Sequence, residues 1–444
     1  MTSPWIINKE NKQMTRRRKI TRRTVLAGLG GLAVASQALV APRGTGPGSV
    51  RAQQPTRAFD ARIPVTGKAG PGLQPFDTGI LQIMDRHGLP GAALAIAKNG
   101  KLVLARGYGW ANVSTGAPIQ PETVFGLASL SKSLTAVATL KLVEQGKLGL
   151  DDPVFGFLKH IPPPRGARVD PRLRQITIRQ CLNHSGGWDR AVHGDPVNWE
   201  PQICRAFRVR PPLSSAQFIS FVQTLPLNFN PGTDAKYSNV GFILLGEVVA
   251  RVSRQPYVRF VTDNVVKPIG MTHAGLHGLD GKYHADEAHR YLPGSLIALP
   301  AMLLPMVNAT GGWSASVVDL ARFLTNLDGS RGKAVLSEEM RKVMLAPPPS
   351  PLKPRADGTY FGLGWDSVIV KDNTFGFFKD GSYQGMRTFM KRKPDGVCWA
   401  LLYSSSMEFD PQDMDIARRA VGDVHKLVED RDKYPNIDLF EEYT

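Results

Sequence analysis

Ser129-Leu130-Ser131-Lys132-Ser133-Leu134-Thr135-Ala136-Val137-Ala138-Thr139-Leu140-Lys141-Leu142-Val143 is the stretch that decides the fold. Seven of the ten residues from Leu134 to Val143 are apolar, so the spacing predicts a helix over 131–145 that is buried nearly all round. Gly146 is a natural stop. Ser129 and Lys132, three apart, fall on one face about a turn from each other. The helix start offers free N–H groups and partial positive charge. A serine hydroxyl is a poor nucleophile until a base takes its proton, and a lysine whose pKa is lowered by burial can be that base. The bland account is an N-cap serine and a surface lysine. The same spacing recurs at Ser330-Arg331-Gly332-Lys333 and Ser350-Pro351-Leu352-Lys353, but in Gly/Pro-rich surroundings with no buried helix following.

Two further short patterns accompany it. Tyr237-Ser238-Asn239 precedes an apolar helix beginning near Gly241. A phenol near a lysine can shuttle a proton, and an Asn amide can orient a substrate carbonyl or amide. Tyr434-Pro435-Asn436 matches by chance. Lys379-Asp380-Gly381-Ser382 comes before the last hairpin. A glycine beside a substrate lets the backbone come close, and its neighbour's N–H can serve an oxyanion. Lys98-Asn99-Gly100 has the same spacing and reads as a turn.

Outward from these motifs, residues 76–87 have helical spacing, with Ile80, Ile83 and Met84 on one face. Two apolar runs, 91–98 and 101–109, flank Asn99-Gly100, a strong hairpin signal. From 151 to about 303, Pro-rich loops separate short helical pieces such as 215–224 and 241–252. Runs 386–393 and 397–404 flank Pro394-Asp395-Gly396, a second hairpin, and 413–428 reads as a closing helix. Strands at both ends with helices between predict an α/β fold of the α+β type: one antiparallel sheet built from both termini, flanked by helices, with a mostly helical region over 151–303. The expected division is a leader over 1–52, a linker over 53–75, the main domain over 76–428 and an acidic tail over 429–444.

Of the formal charge of +17, residues 1–52 carry ten Lys/Arg and one Glu. The excess therefore sits in a leader, and a nucleic-acid partner is not expected. Arg22 and Arg23 ahead of the apolar run 25–41 fit a twin-arginine export signal with cleavage after Ala52, and hence an exported, periplasmic or secreted protein. That run is too weak for a stable membrane span. Cys181, Cys204 and Cys398 are too few and scattered for a disulfide framework or a cysteine zinc site. His273, His277, His284 and His289 with Asp280 and Asp286 could suggest a metal. There is no His-Glu-x-x-His, however, and Gly275, Gly278 and Gly281 break the helix such ligands need, so no metal or cofactor is expected. No Gly-x-Ser-x-Gly occurs, which argues against an α/β-hydrolase.

The order Ser-x-x-Lys, Tyr-x-Asn, Lys-x-Gly, each in suitable context, resembles the serine β-lactamase and penicillin-binding-protein-like hydrolases, specifically the class C-like branch that includes esterases and D-amino-acid peptidases. Stretches 123–129, 176–187, 267–271, 311–323 and 360–365 support the resemblance, which runs from about 76 to 428. It implies Ser129 as the acylated nucleophile. Lys132 and Tyr237 would activate it and protonate the leaving group. Asn239 would position the acyl group, Lys379 would be the third-motif cation, and the N–H groups of Ser129 and Ser382, beside Gly381, would form the oxyanion hole. Asp380 departs from the family's usual Thr or Ser. If it faces the pocket it opposes a substrate carboxylate; because strands alternate, it can equally point away from Lys379. The expected substrate is a small ester or amide. A β-lactamase or D-Ala-type peptidase is the alternative, and a non-catalytic penicillin-binding-like protein is the rival from another class.

Overall fold

A computed structural model describes residues 63–443 apart from 277–280, 293, 302–304 and 406–410. The leader, and His277 and Asp280 of the histidine-rich segment, lie outside the described residues. The main strands are β1 (Val65–Ala69), β2 (Gly91–Lys98), β3 (Lys101–Asn112), β4 (Tyr360–Gly362), β5 (Trp365–Lys371), β6 (Thr374–Tyr383), β7 (Met386–Arg392) and β8 (Val397–Tyr403). They form one antiparallel sheet in the order β1-β3-β2-β8-β7-β6-β5-β4, with a short strand at Ala117–Pro118 added on β3. The expectation of a sheet built from both ends is met where β2 pairs with β8, from Ala92 opposite Tyr403 to Lys98 opposite Val397. Asn99 and Gly100, at φ 49° and 78°, close the β2–β3 hairpin as the Asn-Gly pair required.

The helices used below are α1 (Gln74–His87), α2 (Ser131–Glu144), α3 (Ile178–Leu182), α4 (Arg190–His193), α5 (Ser215–Val222), α6 (Val240–Ser253), α7 (Val317–Leu327) and α8 (Pro411–Glu429). Period-two alternation sorts the sheet's side chains by size. Leu94, Ile96, Trp399, Leu401 and Tyr403 face one cluster with Phe76, Ile80, Ile83 and Met84 of α1 and Val421, Val424 and Val428 of α8. Ala93, Ala95, Ala97, Cys398 and Ala400 face the other cluster, with α2, α7 and the helical region. Small residues on that face let α7 come close to the central strands.

Two boundaries are corrected. The segment read as linker carries β1 from Val65 and the start of α1 at Gln74. β1 pairs with β3, Val65 opposite Tyr108 to Ala69 opposite Leu104. Its polar Thr66 and Lys68 and the intervening Gly67 hid it, because an exposed edge strand lacks the apolar alternation that marks a half-buried one. The acidic tail is packed rather than loose: Phe440 and Tyr443 are buried, and Leu439 N–H donates to the Leu102 carbonyl at 2.8 Å.

Candidate active site

Ser129 lies in a 3-10 turn, Ala128–Leu130, that leads directly into α2. Ala128 is held at φ 46°, a left-handed conformation that costs a non-glycine residue free energy. α2 buries nearly its whole length, Lys132 included. Its polar groups are matched one by one. Ser133 Oγ donates to the Gly364 carbonyl at 2.9 Å, Thr139 Oγ1 to the Thr135 carbonyl at 2.8 Å, and Ser131 Oγ accepts from Trp313 N–H at 3.1 Å. A polar helix can therefore sit in the core without unpaired groups.

Lys132 Nζ lies 3.1 Å from Ser129 Oγ and donates to the Thr310 carbonyl at 2.7 Å. The Tyr237 hydroxyl is 2.6 Å from the same Oγ. Burial, reinforced by the nearby Lys379 charge, pushes the Lys132 ammonium well below the ordinary lysine range, although Asp366 and Asp195 oppose the shift. The fully buried amine is thus inclined to be neutral and to offer a lone pair to the serine proton. Burial also pushes the Tyr237 phenol well above its usual value, with the Asp366 carboxylate adding to the rise. By contrast, Ser330, Ser350, Lys333 and Lys353 are exposed, so the rival Ser-x-x-Lys spacings build nothing comparable.

Tyr237 is positioned by the loop after α3. His184 accepts from Ser238 N–H on Nδ1 at 3.2 Å, and its carbonyl accepts from Lys236 N–H at 2.9 Å. The two bonds straddle Tyr237, and the His184 ring lies 4.6 Å from the Tyr237 ring. Burial holds the imidazole well below its ordinary value, hence neutral. Asn239, just ahead of α6, is held at both ends of its amide: Nδ2 donates to Asp195 at 2.6 Å and Oδ1 accepts from Thr310 Oγ1 at 2.8 Å.

On the sheet side, β5 pairs with β6 only as far as Ser367 opposite Phe378. From Lys379 to Tyr383 that edge of β6 is unpaired with β5 and runs past the nucleophile turn. A Cβ on Gly381 would meet Thr388 Oγ1 at 2.2 Å and the Leu127 carbonyl at 2.8 Å, so only glycine fits this approach. Ser129 and Ser382 line one cavity of about 320 Å³, together with Tyr237, Asn239, Arg190, Asp195 and Glu200. An acyl carbonyl there could reach the Ser129 and Ser382 backbone N–H groups.

The expectation for Lys379 changes, and the orientation of Asp380, open from the sequence, is fixed. Lys379 is fully buried and bound to Asp366 at 2.5 Å. Its ammonium sits 5.1 Å from the centre of the Tyr237 ring, and Lys379 is not among the residues that line the cavity. Asp380 points away from the nucleophile. It lies opposite Phe389, which belongs to the α1/α8 cluster, and its carboxylate pairs with the buried Arg387 at 2.5 Å. Sequence reasoning missed Arg190, Asp195, Thr310, Asp366 and any role for His184. Thr310 and Asp366 adjoin the quoted Gly311–Phe323 and Tyr360–Trp365 stretches, and His184 lies within one. Arg190 and Asp195 carry no periodic or motif signal.

The β-lactamase family model matches residues 76–423. The chain belongs to that family. It is 30% identical over 222 residues to the protein flp of Staphylococcus aureus, which covers 50% of this chain and 42% of that one, so the chain spans less than half the length of that curated relative. Among solved structures, the octameric penicillin-binding protein homologue from Pyrococcus abyssi is 26% identical, with a TM-score of 0.64 over 81% of this chain and 78% of the other. The D-amino acid amidase of Ochrobactrum anthropi SV3 shares the fold at 20% identity, with a TM-score of 0.62 over 80% and 99%. Among the described residues no helix is long and apolar enough to cross a membrane, and no three His, Cys, Asp or Glu side chains converge as a metal site. His289 stacks on Tyr283, ring centres 4.0 Å apart.

Proposed function

We propose that this β-lactamase-family chain is a serine hydrolase that forms an acyl-enzyme on Ser129 and hydrolyses a small ester or amide. The observation that carries the reading is one hydroxyl, on a cavity wall, 2.6 Å from a phenol and 3.1 Å from a fully buried amine. Ser129 Oγ attacks the acyl carbon, and its proton passes to the neutral Lys132. The Tyr237 hydroxyl, within reach of the same oxygen, hands a proton to the leaving group. The carbonyl oxygen, negative in the tetrahedral intermediate, is met by the Ser129 and Ser382 N–H groups. The Lys132 ammonium then returns its proton to Tyr237; water enters along the same path, gives a proton to the Lys132–Tyr237 pair as its oxygen bonds the acyl carbon, and the pair hands that proton to Ser129 Oγ as the acyl–serine bond breaks and the acid leaves. The seclusion of Lys379 by Asp366 takes the third-motif cation out of the cavity, which favours a small ester or amide over the β-lactam or D-Ala-D-Ala alternative that relies on that cation.

The test is intact-mass spectrometry with a fluorophosphonate probe, followed by rates on a short-chain nitrophenyl ester, a chromogenic cephalosporin and a D-Ala-D-Ala peptide, with Ser129→Ala as control. One adduct on the Ser129 peptide and ester turnover abolished by the substitution are expected. An adduct on Ser330 or Ser350, or none anywhere, would sink the reading.

A further inference from the structure

With Lys379 closed off, the cavity holds a different cation. Arg190, on the short helix α4, lines the wall beside Ser129 and Tyr237. Its guanidinium carbon lies 4.6 Å from the centre of the Tyr237 ring, an arrangement that cation–π attraction favours. Stacked in this way, a guanidinium keeps its fork of N–H donors, a geometry matched to a carboxylate. Arg190 is exposed, and among the described residues its side chain has no hydrogen bond or ion pair.

The acidic residues of the same wall are differently occupied. Asp195 accepts from Asn239 Nδ2 at 2.6 Å and from Val197 N–H at 3.3 Å. Glu200 accepts from Leu213 N–H at 2.7 Å. Their oxygens hold the chain around the cavity, whereas the donors of Arg190 hold nothing among the described residues.

Resting on the hydrolase reading above, we infer that the substrate carries a carboxylate and that Arg190, rather than the third-motif Lys379, receives it. Arg190 is then a specificity-determining residue on α4, between the first two motifs, and the ammonium of Lys379 serves only the electrostatics beside Tyr237.

Four esters test this: 4-nitrophenyl butyrate (neutral), 4-nitrophenyl hydrogen succinate (carboxylate on the acyl side), 3-carboxyphenyl butyrate (carboxylate on the leaving side) and 4-nitrophenyl 4-aminobutyrate (ammonium). Each is assayed as substrate, or as competitor of fluorophosphonate labelling of Ser129 where turnover is slow, with wild type, Arg190→Gln and Arg190→Lys. Arg190→Gln should lower kcat/KM or competition for one carboxylate ester about tenfold more than for the neutral one. The loss should lie mainly in KM, and Arg190→Lys should restore part of it. The preference should also shrink in high salt. Equal losses on all four esters, or a wild-type preference for the ammonium ester, would overturn the inference while leaving the hydrolase reading intact. Failure of wild type to label at Ser129 would overturn both. A circular dichroism spectrum and fluorophosphonate labelling of Arg190→Gln separate misfolding from lost recognition, and labelling without any carboxylate preference counts against the inference.

Discussion

Tyr237 is where burial and charge compete most directly. Lys132 and Lys379 each place Nζ 5.1 Å from its ring centre, and Arg190 places a guanidinium carbon at 4.6 Å. The Arg190 charge and the hydrogen bond to Ser129 favour a phenolate, yet burial, with the Asp366 carboxylate, outweighs them and the pKa moves up, while the neighbouring amine is pushed down. The resting proton therefore sits on oxygen and the lone pair on nitrogen. Protonating Lys132 removes the acceptor, so activity is lost as pH falls through its lowered pKa and is level above it. For a neutral ester, kcat/KM should reach its plateau well before the ordinary lysine value of about 10.5; a rate still climbing at pH 10 would put the acceptor elsewhere. Lys132→Ala and Tyr237→Phe should each slow turnover by about 10²–10⁴-fold. Their joint effect should be less than the product, since both serve one proton path, and full additivity would argue for independent steps. Asp380 has a different task. Its removal strands the buried Arg387, so Asp380→Thr should cost about 2 kcal/mol in urea unfolding, reduced from a fully buried pair because the carboxylate is a third exposed. It should leave the ratio of ester to cephalosporin rates unchanged, and a selective gain on the cephalosporin would show that the residue reaches the pocket. Ser129, Lys132 and Tyr237 were legible because their chemistry is local to short motifs. The Lys379–Asp366 and Asp380–Arg387 pairs were not, because each depends on where neighbouring strands stop pairing and which face a given residue takes.

The turn that carries Ser129 and the β6 edge meet at Gly381, against the Leu127 carbonyl and the Thr388 hydroxyl. Thr388 Oγ1 on β7 donates to the Leu127 carbonyl at 2.8 Å, tying the turn to the sheet just where Gly381 passes it. A methyl group at Gly381 has no room, since the nearest atoms are a hydroxyl that makes this tie and a backbone carbonyl. Gly381→Ala should therefore push β6 from Ser129 and widen the gap between the two backbone donors. Loss of one such donor costs about 10²–10³-fold in kcat, and the strain should lower stability by about 1–3 kcal/mol. The crystal structure of the variant, or kcat near wild type, would decide it; an unchanged rate would mean that the Ser382 N–H is not used. The elements themselves were largely readable: both hairpins, α1, α2, α5, α6 and α8 fall within a few residues of their expected spans. The exposed edge strand β1 was not, because alternation reports burial of one face rather than strand conformation as such.

Across the molecule, the C-terminal segment closes on the first strands of the described chain. The Asp438 carboxylate accepts from Leu102 N–H on β3 at 3.1 Å and pairs with Arg331 at 2.6 Å. The Tyr443 hydroxyl accepts from Lys68 N–H on β1 at 3.0 Å. Phe440 is buried under the guanidinium of Arg331, whose carbon is 4.1 Å from the ring centre. The last residues thus strap β1 and β3 to the segment following α7, the helix that packs on the central strands. Composition concealed this: the acidic residues of the tail are interleaved with two buried aromatic anchors, and a charge count cannot see which side chains turn inward. Phe440→Ala removes a buried ring and should destabilise by about 3 kcal/mol or somewhat more, whereas Glu441→Ala, at an exposed position, should change stability by less than about 0.5 kcal/mol. The strap lies on the β1–β3 side, and neither Phe440 nor Arg331 lines the cavity at Ser129. The Phe440→Ala protein should therefore label at Ser129 with fluorophosphonate at the wild-type rate well below its lowered Tm, and lose labelling only as it unfolds. Equal thermal stability of the two variants would mean that the tail only rests on the sheet, and slow labelling at low temperature would mean that its influence reaches the nucleophile through α7.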